Sequence, residues 1–327
     1  MNHHLIYIDN PVGTGFSFVD KDEGYAKNEV DVGNDLHNAL TQFFKLFPEL
    51  QKNKFYLSGE SYAGKYVPAI GHAIHTKNEN AKVKINLKGL AIGNGFSDPL
   101  HQSVYGDYLY QLGLIDTNGL DVFHKYERKG RDCIRRKDFE CAFNVFDELM
   151  DGDEHDSSLF KNISGLTNYY NYLADGNDTA DMMMAAFLKR SDIRKAIHVG
   201  NLTFNGLDGE NKVEEHLKLD IFASVTPYLT ELLSHYRVCI YNGQLDIIVA
   251  YPLTINFLKK LKFEHSEEYK KAPRYIWRVG TEIAGYVHEA GNLVEVLVRN
   301  AGHMVPHDQP KWAFDLINRF TGTKSFH

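Results

Sequence analysis

Residues 59–64, which read Gly-Glu-Ser-Tyr-Ala-Gly, constrain the fold of this chain more than any other feature. They follow a strand-like apolar run at residues 55–57 and precede a helix-like run that begins at Tyr66. A serine on a tight strand-to-helix turn with small neighbours is typical of a nucleophile elbow, which exposes the hydroxyl and places helix-start amides beneath it. Ala63 stands where the usual pattern has a second glycine, which is a mild departure. The pattern predicts Ser61 as a nucleophile at the carboxyl end of a strand.

Two other interpretations of the same residues have to be weighed. Residues 59–65 also spell G-x-x-x-x-G-K, most of a phosphate-binding P-loop. The next residue is Tyr66, where a P-loop needs Ser or Thr to hold magnesium, and Glu60 would place a carboxylate among phosphates. These two residues argue against a P-loop. An ordinary surface serine in a turn stays open from this motif alone, so its partners decide.

Composition limits the kind of protein this is. The chain has 327 residues, 43% of them hydrophobic, with a formal net charge of −7, which suits one large globular domain or a domain with an insertion. Mild acidity and the lack of a basic run argue against nucleic acid as a partner. The sequence contains no apolar run of about 18 residues, so no membrane span is predicted.

Strand and helix patterns alternate in the first hundred residues. Strands are predicted at residues 5–9, 54–58 and 87–93, and a helical pattern at residues 36–47 ends before Pro48. Strand-helix-strand order is typical of a parallel α/β sheet. Later patterns predict a buried strand at 238–242, a hairpin of 283–288 with 293–298, and a closing helix at 310–320.

The middle of the chain has a different character, with charge clusters and short helical patterns. We interpret residues 99–224 as a helical cap inserted into a core made of residues 1–98 and 225–327. A separate helical domain of unrelated purpose is the alternative interpretation.

A serine nucleophile needs a base, and the base needs an orienting acid. In sheet hydrolases these follow in the chain order Ser, Asp, His, each after a later strand. Asp246 comes shortly after the strand predicted at 238–242, and His303 shortly after the strand predicted at 293–298. The nearest competitors are His307, interpreted as a loop residue, and Asp308, interpreted as a cap for the helix at residue 310.

Cysteines and sequons give weaker indications. Cys133 and Cys141 are close enough in the chain to close a small loop, and Cys239, in an apolar run, is predicted to be a buried free thiol. Three Asn-x-Ser/Thr sequons in the polar middle of the chain slightly favour a secretory route; they begin at Asn162, Asn177 and Asn201.

Several motifs together resemble one family, the serine carboxypeptidases of the α/β-hydrolase fold, and most closely their vitellogenic-like members. The matching motifs appear in family order along the whole chain, at residues 7–17, 59–64, 92–95, 240–246 and 301–306. The resemblance implies that Ser61 is the nucleophile, Asp246 the acid and His303 the base, with the amide of Tyr62 as an oxyanion donor. It also implies a mostly parallel sheet with flanking helices and a helical cap.

The resemblance further implies what the site binds. Glu60 and Met304 are expected to contact the substrate, a peptide or protein C-terminus. Two carboxylates can pair only if one is protonated, so Glu60 is expected to favour binding at acid pH. No cofactor or metal is implied. The resemblance also suggests a homodimer and a lysosomal or extracellular location on the secretory pathway.

Relatives in this family begin well upstream of residue 5. By resemblance, the upstream segment carries a signal peptide, the first strands and a glycine-rich loop with a second oxyanion donor. We therefore expect a truncated chain that lacks N-terminal strands, folds poorly and has little activity. Two other functions stay open: acyl transfer on the same triad, and a non-catalytic binding protein.

Overall fold

The computed structural model describes residues 3–154, 157–174, 180–206 and 212–326, and within them it forms one six-stranded sheet. The strands are β1 (Phe55–Glu60), β2 (Leu87–Gly93), β3 (Arg237–Gly243), β4 (Tyr275–Val279), β5 (Glu282–Ala290) and β6 (Leu293–Val298). Their order across the sheet is β1-β2-β3-β6-β5-β4. The pairs β1–β2, β2–β3 and β3–β6 are parallel, and β5 is antiparallel to both of its neighbours. The predicted mostly parallel sheet and its closing hairpin are confirmed.

Helices flank this sheet and fill the connections between its strands. They are α1 (Glu29–Leu46), α2 (Ala63–Asn78), α3 (Pro99–Gln102), α4 (Gly106–Gln111), α5 (Thr117–Arg135), α6 (Phe139–Phe146), α7 (Leu159–Ser164), α8 (Ala180–Leu188), α9 (Ser191–Ala196), α10 (Lys212–Leu217), α11 (Thr226–Leu233), α12 (Tyr251–Leu258), α13 (Ser266–Tyr269), α14 (Val305–Asp308) and α15 (Pro310–Thr321). Short 3₁₀ turns lie at Asp22–Gly24 and Pro48–Leu50, and a π-helical turn at Asp147–Asp151. The Asn28 side chain starts α1 by accepting from the N–H groups of Val30 and Asp31.

Both faces of the sheet are buried, as parallel sheets require. On one face, Leu90 and Ile240 pack with side chains of α2, α11 and α12. On the other face, Cys239 and Tyr241 pack with Trp312 and other side chains of α15. Alternate residues of the same strands therefore serve two cores, which holds β2 and β3 rigidly in the middle of the sheet. Cys239 is a fully buried free thiol, as predicted.

Helices α3–α11 lie between β2 and β3 in the chain. One apolar cluster joins Phe123 of α5 and Phe160 of α7 to Ile247 and Leu253, which follow β3. The inserted helices thus pack directly on the segment that carries Asp246. A disulfide joins Cys133 to Cys141 in this region. The division into residues 1–98, 99–224 and 225–327 stays a prediction.

The strand predicted at residues 5–9 is wrong. Residues 3–10 form no regular element, and the side chains of Leu5, Ile6, Tyr7 and Ile8 are exposed. A strand needs a neighbour for its backbone groups, but among the described residues β1 lies at the edge of the sheet and this segment does not pair with it. Asp9 instead closes a local loop, accepting from the N–H of Phe16 and the hydroxyl of Ser17.

In the part of the chain that the structure covers, no helix combines the length and the apolar character needed to cross a membrane.

Candidate active site

Ser61 lies on a strained turn between β1 and α2. Its φ angle is 60°, a left-handed conformation that is uncommon outside glycine. Its N–H donates to the Gly93 carbonyl at 2.9 Å, and its own carbonyl accepts from the Phe96 N–H at 3.1 Å. Tyr62 follows directly at the start of α2, so its amide lies at the helix N-terminus. This is the backbone geometry of a nucleophile elbow.

The glycines around this turn are required by close packing. A Cβ on Gly59 would lie 2.5 Å from the Cβ of Ala63. A Cβ on Gly64 would lie 2.5 Å from the backbone nitrogen of Phe96. A larger side chain at Gly59 would push α2 away from the end of β1, and one at Gly64 would push it away from the segment that follows β2.

Asp246 and His303 lie on neighbouring loops, because β3 and β6 are adjacent and parallel. The two loops are joined by a hydrogen bond of 2.8 Å from the Leu245 N–H to the Ala301 carbonyl. His303 Nδ1 lies 2.8 Å from Asp246 Oδ2, and both side chains are buried. Burial acts to lower the pKa of His303, but the charge and hydrogen bond of Asp246 outweigh it and the pKa is raised.

The second ring nitrogen of His303 has no partner among the described residues. Nε2 is buried and accepts no hydrogen bond from any of them, so the Ser61 hydroxyl is not bonded to the imidazole in this structure. Asp246 occupies Nδ1, which leaves Nε2 as the nitrogen that can accept a proton. Catalytic hydrogen bonds are often long before substrate binds, so this geometry is compatible with a base role.

Asn94 belongs to the site, although sequence reasoning did not assign it a role. Its Nδ2 donates to Asp246 Oδ2 at 2.6 Å, and its Oδ1 accepts from the Gly243 N–H at 3.1 Å. It also adopts a positive φ of 42°. The signal available in the sequence was its position directly after β2, at the same sheet edge as the loops that carry Asp246 and His303.

Glu60 connects the elbow to the loop of the histidine. Desolvation by burial raises the pKa of Glu60 to about 7, while the charge of His303, the Tyr241 hydroxyl and the Val305 N–H act to lower it. Its Oε1 is buried and has no hydrogen-bond partner among the described residues. The residue before Ser61 is therefore a largely neutral acid at acid pH.

The remaining predicted residues have varied positions. Met304 follows His303 and is 50% exposed, so its side chain can reach a bound molecule. The Tyr62 hydroxyl is buried and has no hydrogen-bond partner among the described residues. The Lys65 ammonium lies over the Tyr62 ring. The prediction that Asp308 caps α15 is wrong, because Gln309 holds the cap position without a side-chain bond. Asp308 instead accepts from the Gly302 N–H at 2.6 Å, one residue before His303.

Three aspartates lie close together elsewhere in the chain, at the π-helical turn and just after it. Carboxylate oxygens of Asp147, Asp151 and Asp153 lie within 4.8 Å of one another. A side-chain hydrogen bond with Asp147 raises the pKa of Asp153 to about 7. Nothing in the arrangement calls for a metal.

The serine carboxypeptidase family matches residues 1–323 of this sequence. The chain belongs to the serine carboxypeptidase family. Among its curated relatives, the venom serine carboxypeptidase of Apis mellifera is 58% identical over 326 residues, covering 99% of this chain and 69% of that protein. The vitellogenic carboxypeptidase of Aedes aegypti is 55% identical, covering 98% and 68%. The probable serine carboxypeptidase CPVL of Homo sapiens is 49% identical, covering 97% and 67%.

The fold agrees with this membership. A solved structure of Kex1(Δ)p, a prohormone-processing carboxypeptidase from Saccharomyces cerevisiae, matches this serine carboxypeptidase with a TM-score of 0.74 at 26% identity. The match covers 97% of this chain and 73% of the yeast chain. The predicted α/β-hydrolase fold and the predicted class of enzyme, a serine-type peptidase, are thereby confirmed.

Proposed function

We propose that this chain removes C-terminal residues from peptides through an acyl-enzyme on Ser61. His303 Nε2 takes the hydroxyl proton as Ser61 Oγ attacks the last peptide carbonyl. The same nitrogen then gives that proton to the leaving amine as the C–N bond breaks, which leaves the peptide acyl group on Ser61. Water attacks this ester with His303 again as base, and the acid product and free serine result. The observation that carries this proposal is the buried Asp246–His303 hydrogen bond, which leaves Nε2 unpaired.

Asp246, Asn94 and Tyr62 have supporting roles in this mechanism. The Asp246 carboxylate holds the proton on Nδ1 and stabilises the imidazolium that forms when Nε2 is protonated. Asn94 fixes the carboxylate through its 2.6 Å hydrogen bond. The Tyr62 amide, at the start of α2, is suited to donate to the oxyanion of the tetrahedral intermediate.

Glu60 is proposed to bind the terminal carboxylate of the substrate. A protonated Glu60 can donate to that carboxylate, whereas an ionised one repels it. Its pKa of about 7 keeps it mostly protonated at acid pH, and its Oε1, buried without a hydrogen-bond partner among the described residues, has bonding capacity that is not used in the structure. Met304, exposed beside the base, is proposed to contact the side chain of the released residue.

Labelling with a serine-reactive fluorophosphonate tests the nucleophile. We expect the wild-type chain to be labelled once, Ser61→Ala to lose the label, and Ser234→Ala, at an exposed serine that ends α11, to keep it. Product analysis with a blocked dipeptide should then show release of one terminal amino acid, while added alcohol distinguishes acyl transfer. Labelling that survives in Ser61→Ala would rule out this mechanism.

A secretory route is proposed from three observations. Asn162 and Asn201, two of the three sequon residues, are exposed, while Asn177 lies outside the described residues. The Cys133–Cys141 disulfide suits an oxidising compartment. One relative is named as a venom protein. Behind an added signal peptide, Asn162→Gln and Asn201→Gln should each remove one glycan by mass; unglycosylated wild-type protein would contradict this. Homodimer formation stays a prediction.

A further inference from the structure

A short segment between α7 and α8, residues 168–172, lies against the loop of Asp246. The N–H groups of Ile247 and Ile248 both donate to the Tyr169 carbonyl, at 3.0 and 3.2 Å. The Tyr172 N–H donates to the Leu245 carbonyl at 3.1 Å. The backbone is therefore held on both sides of Asp246 by a segment that belongs to the inserted part of the chain.

The same segment also holds the loop of His303. The His303 N–H donates to the Tyr170 carbonyl at 2.7 Å, and the Tyr170 ring lies 5.1 Å from the imidazole. The approach is close at Gly302, where a Cβ would lie 2.5 Å from the Tyr170 carbonyl oxygen and 2.7 Å from the Asn171 Cβ. The segment thus lies against both the acid loop and the base loop.

The Asp308 carboxylate stabilises this arrangement. Asp308 Oδ2 accepts from the Gly302 N–H at 2.6 Å and from Asn171 Nδ2 at 3.2 Å. Asp308 Oδ1 faces the exposed His307, at 3.1 Å from its Nδ1. The Asp308 side chain does not cap α15. Its carboxylate instead accepts these two hydrogen bonds, which explains why an acidic residue suits this position. An amide donor is needed at residue 171, because a carboxylate there would repel Asp308.

We propose that Asn171 is a positioning residue for catalysis: by donating to Asp308 it fixes the loop that carries His303, and so sets the imidazole against Asp246 and Ser61. This rests on the proposed function, in which His303 is the base. Asn171 does not touch the reacting atoms. It acts from the inserted segment, through Asp308 and the Gly302 N–H, on the neighbouring histidine.

Replacing Asn171 by aspartate gives a test in which a low pH should restore the hydrogen bond to Asp308. In Asn171→Asp, two carboxylates face each other above neutral pH, and at acid pH they can share one proton and restore the bond. We expect kcat relative to wild type to fall on the order of 10²-fold near neutral pH, since small displacements of catalytic groups cost about that much. The ratio should recover as the pH is lowered, with KM changed much less than kcat.

One more variant separates positioning from folding. Asn171→Leu, which has no donor, should keep a low kcat at every pH. The matched control is Asn53→Asp, which makes the same charge change at an exposed asparagine in the turn before β1, so wild-type kcat is expected.

A readout independent of turnover keeps this inference distinct from the proposed function. The proton on His303 Nδ1, hydrogen-bonded to a carboxylate, should give a downfield NMR resonance that disappears in His303→Gln. We expect that resonance to be lost or shifted in Asn171→Leu at every pH, and in N171D near neutral pH but not at acid pH, whether or not the protein cleaves peptides. An unchanged resonance in Asn171→Leu, or an N171D variant as impaired at acid pH as near neutral pH, would overturn the proposal.

Discussion

Replacing Glu60 by glutamine should change how activity depends on pH more than it changes activity itself. In the wild-type chain, burial raises the pKa of Glu60 to about 7, and the proposed contact with the substrate needs the protonated form. Glutamine has the same shape, cannot ionise, and carries an N–H donor at every pH. Its amide oxygen can still accept from the Tyr241 hydroxyl and the Val305 N–H. Glu60→Gln therefore removes the titration and keeps the hydrogen bonds.

The size of the effect follows from the pKa of Glu60. With a pKa of about 7, Glu60 is about 99% protonated at pH 5, about half at pH 7 and about 9% at pH 8. If only the protonated form binds a C-terminal carboxylate, wild-type kcat/KM falls about tenfold between pH 5 and 8 through this group alone. The His303 base works in the opposite direction, because it gains activity as it loses its proton. A falling alkaline limb therefore points to Glu60.

The assay is kcat/KM for a blocked dipeptide across this pH range, with both enzymes. Wild type should show the falling limb, and Glu60→Gln should be flat above neutral pH. A substrate that ends in an amide provides the control, because it has no carboxylate to repel an ionised Glu60 and should give wild type no such limb. The reasoning is wrong if Glu60→Gln keeps the same decline as wild type.

Three further predictions concern buried groups near the site. Glu29 is buried, and burial raises its pKa, so above the ordinary range of a carboxyl group the folded chain still holds a proton that the unfolded chain has lost; the free energy of unfolding should therefore fall with a negative slope as the pH rises from about 5 towards neutral. Denaturant titrations should show that slope lost in Glu29→Gln and kept in the exposed control Glu49→Gln; equal slopes would contradict it. Gly243→Ala places a Cβ 1.9 Å from the Gly302 carbonyl oxygen and should cost about 3 kcal/mol or more of stability, which unchanged thermal unfolding would disprove. Asn94→Gly allows the same positive φ but removes a hydrogen-bond donor to Asp246. The acid limb of the kcat–pH profile should therefore move to higher pH by as much as about one unit. An acid limb at the same pH as in wild type would mean that Asn94 has no influence on the Asp246–His303 pair.

The parts of the fold predicted correctly are those that local patterns determine. The strand at residues 87–93 is apolar and buried on both faces, and α1 carries apolar residues at helical spacing up to Pro48. Glycines at 59 and 64 mark the elbow because the turn leaves no space for a Cβ. The segment at residues 5–9 has the same apolar pattern as a strand. It does not become one because pairing depends on a neighbour, which local sequence does not report.

The residues of the candidate site that come directly after strands could be predicted from the sequence. The sheet places the residues after β1, β2, β3 and β6 at one edge, so Asp246 and His303 could be expected to meet, and they do at 2.8 Å. The same rule would have selected Asn94, but an Asn-Gly pair after a strand also suits an ordinary turn. Asp308 was interpreted as a helix cap because of its place before Pro310. Its true partner, Asn171, is 137 residues away in the chain.

Burying Asp246 and His303 has an energetic cost, which hydrogen bonds from distant parts of the chain offset. A carboxylate and an imidazole removed from water are unfavourable unless their polar atoms are satisfied. Asp246 is fully buried, and its oxygens accept from Asn94, from His303 and, at 3.4 Å, from the Val249 N–H. These donors come from three separate parts of the chain, while residues 169–172 make backbone hydrogen bonds to both loops. The geometry of Asp246 and His303 is therefore a property of the sheet core and of the segment between β2 and β3 together, and a change in that segment can alter it without touching either residue.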